Sequence, residues 1–208
     1  MIFNDRRDAG KKLAEKLVKF KEERPVILAI PRGGVVIGRE IANALNAPLS
    51  IIVPRKLGAP YNPELAIGAV TRDGSTTLNE ELIVSMNVSQ SYIEKEKKRQ
   101  MDEIERRIEK YKTMEIELRD RVVILVDDGI ATGATMLAAI KSVEKKYPKK
   151  IVLAVPVGPP DTIKEMGRGV DEVVCLYTPA FFMAIGSFYR NFEQTTDDEV
   201  IEILKSFR

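Results

Sequence analysis

Histidine and tryptophan are both missing from the 208 residues, and cysteine occurs once, at Cys175. Without histidine, proton transfer must run through a carboxyl, a lysine, a tyrosine, a backbone group or water. A single cysteine excludes an intrachain disulfide, and its place in the apolar run Val173 to Tyr177 reads as a buried core thiol rather than a nucleophile. Neither charge predominates: Lys plus Arg 33 against Asp plus Glu 31 leave a net +2, which gives no sign of a nucleic-acid partner beyond local basic clusters. No apolar run approaches a membrane span, and the N-terminal MIFNDRRDAGKK has no signal-like apolar segment, so a cytoplasmic chain with no membrane partner is expected. Internal repeats and low-complexity tracts are lacking too.

What the chain does have is concentrated in fourteen residues, Val122 to Thr135, VVILVDDGIATGAT. Val122 to Val126 is a short apolar run, mostly β-branched, that reads as a strand buried on both faces. Asp127 and Asp128 follow at its end, then a small-residue loop that passes into a helical pattern, Met136 to Val143. Adjacent strand residues point to opposite faces, so at least one acid projects beyond the strand end, where open parallel sheets bind ligands. A carboxylate there accepts hydrogen bonds from vicinal sugar hydroxyls or helps to hold a hydrated cation. The amides of Ala131, Thr132, Gly133, Ala134 and Thr135, at a helix start, form a cradle for an anion. A plainer reading keeps the acids and Thr132 as helix caps.

A second glycine-bearing turn, Pro31-Arg32-Gly33-Gly34, follows the strand Val26 to Ile30 and opens a helix with Val36, Ile37, Ile41, Ala44 and Leu45 on its apolar side. It serves either as a tight structural turn or as another anion pocket with Arg32 beside it. The strand Leu49 to Val53 delivers Arg55 and Lys56, which fit phosphate contacts or a solvated basic loop equally. Tyr61, Pro63 and Glu64 read as loop, and Ala66 to Thr71 and Ser75 to Asn79 as short strands about the turn Arg72-Asp73-Gly74.

Helical stripes cover Asp5 to Glu23 and Ser89 to Lys112, the latter with a Ser91/Glu94 capping box and i,i+4 pairs Glu94–Lys98, Asp102–Arg106 and Glu103–Arg107. Its thin apolar stripe, Ile93, Met101, Ile104, Ile108 and Tyr111, marks a solvated helix or one docked on a partner subunit. Further on, Ile151 to Val157 and Val173 to Tyr177 read as strands flanking a helix, Asp161 to Met166. This alternation defines an α/β fold with a mainly parallel sheet. The C-terminal tract holds Phe181, Phe182, Phe188, Tyr189 and Phe192, core residues or a wall for a planar base, before a capping box at Thr196 to Glu199 opens a final helix.

Val122 to Thr135 resembles the 5-phosphoribosyl-1-pyrophosphate (PRPP) motif of the type I phosphoribosyltransferases, and Pro31 to Gly34 resembles the pyrophosphate loop of the xanthine-type members. The resemblance implies an α/β domain with a mainly parallel five-stranded sheet, helices on both faces, a small hood and a helical insertion. One domain over 1–208 is expected: core at about 24–56 and 118–178, lid and helical insertion at about 57–117, and hood at about 178–208. By the same likeness Asp127 and Asp128 face the ribose hydroxyls and hold Mg²⁺ indirectly, and Ala131 to Thr135 wrap the 5-phosphate. Arg32, Gly33, Gly34, Arg55, Lys56 and Arg190 meet pyrophosphate, Phe182 stacks on the base, and a non-proline cis peptide lies near Arg32. The implied reaction moves the phosphoribosyl group from PRPP to a nitrogenous base, a purine by the R-G-G loop, in a homodimer with purine-salvage chemistry. Arg32, Asp127 and Asp128 carry the catalysis.

Two departures matter. Hypoxanthine-type members place an aspartate where this chain has Ala131, and a hood aspartate where Ala180 to Phe192 has no carboxylate. Adenine-type members share the alanine. Glu64 is a candidate acid or base by placement, and a non-catalytic module that binds PRPP or a nucleotide is the rival reading.

Overall fold

The computed structural model of the protein describes residues 2–208. Its elements run α1 (Arg6–Leu17), a 3-10 turn (Val18–Glu23), β1 (Val26–Ala29), α2 (Gly33–Leu45), β2 (Leu49–Ile51), β3 (Arg55–Ala59), β4 (Asn62–Val70) and β5 (Thr76–Leu78). Then come α3 (Glu80–Ser85), α4 (Gln90–Tyr111), β6 (Val122–Val126), α5 (Ala134–Glu144), β7 (Lys150–Val157), α6 (Pro160–Met166), β8 (Glu172–Tyr177), a 3-10 turn (Ile185–Phe188) and α7 (Asp197–Lys205).

Five strands form one parallel sheet in the order β2-β1-β6-β7-β8. Its strands are apolar throughout because both faces are covered, and the period of two sorts their side chains. Ile27, Ala29, Val122, Ile124, Val126, Val152 and Ala154 join one core with Leu13 and Leu17 of α1 and Ile37 and Ile41 of α2. The alternate residues Val26, Leu28, Val123, Leu125, Ile151, Leu153 and Val155 join a second core with Met136, Ile140 and Val143 of α5. Cys175 packs at the margin of this second core and is half-buried rather than fully buried; burial pushes its thiol above the ordinary range.

The interval after β2 departs most from the sequence expectation. Arg55 to Ala59 is a strand, not a loop, and β4 begins at Asn62, so β3-β4-β5 make a separate three-stranded antiparallel sheet. The local signal was obscured by Gly58 and Pro63, which sit where the register shifts; a Cβ on Gly58 would lie 2.7 Å from the Pro63 carbonyl oxygen. Bulges and edge strands are where a sheet tolerates such residues.

Helix α4 is capped by Ser89, whose hydroxyl accepts from the Tyr92 amide at 3.2 Å, so the Ser91/Glu94 box does not form. Glu103–Arg107 pairs as expected, whereas Arg106 turns to Glu103 rather than Asp102, and Glu94 accepts from Gln90. Its apolar stripe packs on β3 and α7 of the same chain, with Ile93, Ile104 and Tyr111 buried. The expected first helix ends as α1 at Leu17, and the 3-10 turn closes at Arg24 in the left-handed region (φ 50°) just before Pro25. Thr196 caps α7 as expected, accepting from the Glu199 amide at 3.1 Å.

Candidate functional site

The strand order places the site. From β1 the chain goes to one side for β2 and to the other for β6, so the loops leaving β1 and β6 diverge and open a crevice at the carboxyl ends of these two strands. Ile30 to Gly34 leaves β1 and Asp127 to Thr135 leaves β6; the Ile30 amide donates to the Val126 carbonyl at 2.8 Å and ties the two loops together. The crevice is a cavity of about 490 Å³ that Arg32, Gly33, Asp127, Asp128 and Thr135 all line.

Neither acid is buried in a core. Asp128 Oδ2 lies 2.7 Å from Arg6 Nε of α1, with the two side chains 14% and 12% exposed. The Arg6 guanidinium lies 3.8 Å above the Phe192 ring and also donates to the Glu193 carbonyl at 2.7 Å. Tyr189, buried in the hood, donates its hydroxyl to the Asp128 carbonyl at 2.7 Å. Asp127 is half-buried and accepts the Asp128 amide at 2.8 Å. Burial, then the neighbouring Asp128 charge, pushes Asp127 well above the usual carboxylate range; burial raises Asp128 too, against the pull of Arg6. Gly33 makes this packing possible, since a Cβ there would fall 1.9 Å from Asp128 Oδ2.

The loop after the acids is shaped for an anion. Gly133, with φ +78°, stands at the N-cap of α5, and no side chain caps the helix; the capping reading for Thr132 does not hold. The amides of Ala131 to Thr135 donate to no protein atom among the described residues, and Ala131 and Thr132 are exposed. Such amides at a helix start attract a negative group. Helix α6 braces the loop from behind: Thr162 Oγ1 donates to the Ala131 carbonyl at 3.1 Å, and a Cβ on Gly133 would meet Met166 Cε at 2.9 Å.

Five cations, Arg32, Arg55, Lys56, Arg99 and Arg107, and two acids, Glu64 and Glu96, line the remaining wall. Arg32 precedes α2, with Nη1 3.6 Å from Asp197, and the Pro31–Arg32 peptide is cis. Arg55 and Lys56 line the cavity from β3, and Glu64 from β4. Gly34 lies behind the cavity wall, where a Cβ would meet the Val126 carbonyl at 2.9 Å. Arg190 is exposed and outside the cavity lining, and Phe182 stacks on Phe188 at 5.4 Å, also outside it. Arg6 and, from α4, Glu96, Arg99, Gln100 and Arg107 join the site without having been anticipated. The signal was present for α4: positions 93, 96, 100, 104, 107 and 111 follow helical spacing, so polar groups at 96, 100 and 107 interrupt an inward-facing stripe.

Among the described residues no cluster of three or more His, Cys, Asp or Glu could hold a metal on its own. Two carboxylates beside an anion cradle do fit Mg²⁺, which keeps several waters and binds through one or two carboxylates together with substrate phosphates. Among those residues, too, no helix is long and apolar enough to cross a membrane.

A parallel sheet with its amide cradle and acid pair at the switch point, beside a small antiparallel sheet, defines the class. Residues 62–191 match the phosphoribosyl transferase domain model, and the chain belongs to that family. It is 44% identical over 205 residues to a provisionally named phosphoribosyl transferase of Mycobacterium tuberculosis H37Rv; the match covers 98% of this chain and 46% of the relative, so the chain spans about half the length of that protein. The crystal structure of TT1426 from Thermus thermophilus superposes with a TM-score of 0.84 at 42% identity, covering 100% of this chain and 99% of the other. The AQ2163 protein of Aquifex aeolicus shares the fold, with a TM-score of 0.51 at 14% identity over 82% of this chain and 73% of the other.

Proposed function

We propose that the domain binds PRPP in the crevice between β1 and β6 and transfers its 5-phosphoribosyl group to a nitrogenous base, a purine, with release of pyrophosphate. The observation that carries this reading is the unpaired amide collar of residues 131–135, which follows Asp127 and Asp128 and reaches their cavity at Thr135, where Arg32, Arg55, Lys56, Arg99 and Arg107 also line the wall. The collar takes the 5-phosphate, as amides at a helix start do. Asp127 and Asp128 accept from the ribose hydroxyls and so fix the sugar relative to the departing group. Arg32, Arg55 and Lys56 meet the diphosphate and stabilise the charge it gains as the glycosidic bond breaks. When bound, Mg²⁺ supplies further positive charge to that diphosphate, with Asp127 and Asp128 holding it through water or the ribose hydroxyls. Within residues 57–117, Gly58, Pro63 and Glu64 line the cavity, and in this reading Glu64 exchanges a proton with the base.

Ala131 favours a second reading, a non-catalytic module that binds PRPP or a nucleotide, because the first position of the collar carries a methyl group rather than an acid that could handle a base proton. Calorimetry with PRPP and Mg²⁺, followed by pyrophosphate release across a panel of purines and pyrimidines, separates the two. Turnover with a purine supports the transferase. Tight binding with no turnover on any base supports the module, and absence of PRPP binding removes both.

A further inference from the structure

Three arginines, Arg55 of β3 and Arg99 and Arg107 of α4, line the cavity. Arg55 is half-buried and has no carboxylate within ion-pair distance among the described residues; its one hydrogen bond runs from Nε to Gln100 Oε1 at 2.9 Å. Gln100, 4% exposed, donates in turn to Glu96 Oε1 at 2.8 Å, and Glu96, 7% exposed, is gripped by Arg99 at 2.7 and 2.8 Å. A continuous chain of hydrogen bonds anchored on α4 thus fixes the inner edge of Arg55 and leaves its two terminal nitrogens without a protein partner.

Arg107 is arranged in the same way. Its Nε donates to Glu103 at 2.9 Å, while its terminal nitrogens have no partner among the described residues. Both guanidiniums line the cavity that holds Asp127, Asp128 and Thr135. Burial first, and then Arg107, hold the Arg55 guanidinium below its ordinary value, with Arg99 adding to the repulsion and Glu103 and Glu96 opposing it. Like charges that crowd one another in a half-buried wall, with donors left over, are satisfied by an anion from solution.

We infer that Arg107 of α4 and Arg55 of β3 form a guanidinium pair that grips the diphosphate end of the substrate, and that Gln100 is a positioning residue which aims Arg55 at it. The inference rests on the PRPP reading of the crevice and extends it to a helix outside the two recognition loops. It also explains why Gln100 and Glu96 occupy inward positions of α4 that would otherwise be apolar. In this arrangement the pair answers to the diphosphate, and the acids and the amide collar take the sugar and its phosphate.

The test uses three probes with Mg²⁺ on the full chain: inorganic pyrophosphate, ribose 5-phosphate and PRPP. Arg107→Gln is expected to weaken pyrophosphate and PRPP binding by about tenfold or more and to leave ribose 5-phosphate within about twofold, which also shows that the variant is folded. Arg107→Lys should recover part of the loss, since it restores charge but not the fork. Gln100→Glu gives Arg55 an internal carboxylate and is expected to weaken the same two probes selectively. Unchanged pyrophosphate affinity in Arg107→Gln overturns the inference, and so does an equal loss for all three probes. If the unmodified protein binds neither ribose 5-phosphate nor PRPP, the PRPP reading itself fails, an outcome distinct from either.

Discussion

Gly33→Ala probes the link between the N-terminal helix and the acid pair. The added Cβ would lie 1.9 Å from Asp128 Oδ2, 2.6 Å from Asp128 Cγ and 2.6 Å from Arg6 Nε, so Asp128, Arg6 or both must move. Their side chains are only 14% and 12% exposed, which leaves little solvent to take over either charge once the 2.7 Å contact is lost. Separating one partner of such a pair costs about 3–5 kcal/mol, and the better helix propensity of alanine returns up to about 1 kcal/mol, for a net loss of about 2–4 kcal/mol. In a domain of this size that corresponds to a fall in Tm on the order of 10 °C. Thermal and urea unfolding measure the loss, and calorimetry with PRPP should show weaker binding because Asp128 no longer faces the crevice in the same way. Gly169→Ala is the control, since its Cβ would meet nothing nearer than 3.5 Å. A Gly33→Ala protein with Tm within about 1 °C of the parent and unchanged PRPP affinity would refute the packing argument.

Gly133→Ala forces a left-handed residue and a 2.9 Å contact with Met166 Cε; a backbone cost of about 1–2 kcal/mol should appear as weaker ribose 5-phosphate binding, on the order of tenfold, by calorimetry. Lys110 at 2.6 Å, then the Tyr111 hydroxyl at 2.7 Å, hold Asp197 down at about 2. Because that lies below the unfolded value of about 3.9, the contribution is fully present above about pH 4 and is lost as pH falls toward about 2. Urea midpoints across that interval should slope downward with acid, and Asp197→Asn should flatten the slope. Burial and then the Asp197 contact push Tyr111 up to about 12, so Tyr111→Phe removes a buried donor to a charged acceptor and should cost about 1.5–3 kcal/mol in urea unfolding. Thr196→Ala deletes the cap of α7 and should lower stability by about 1 kcal/mol, read from the same unfolding curves.

The strand, acid pair and glycine loop at 122–135 could be read directly because they are contiguous: a buried run, two charges and a Gly at φ +78° specify a strand end and a helix start within fourteen residues. The same holds for Arg32 and Gly33 after β1. The strand β3 could not be read in this way, because Gly58 and Pro63 carry loop signals that only pairing with β4 overrides.

By itself, then, the amino-acid order determined which segments become apolar strands, where glycine opens the backbone and which two acids share a strand end, since each of these depends on near neighbours in the chain. Only the tertiary structure decided what meets those acids. Arg6 reaches Asp128 across 122 residues, and Arg55 meets Gln100 across 45. A long cationic side chain on a helix looks the same in sequence whether it faces water or a cavity; its role is set by helix packing on the sheets, and that depends on contacts between segments far apart in the chain.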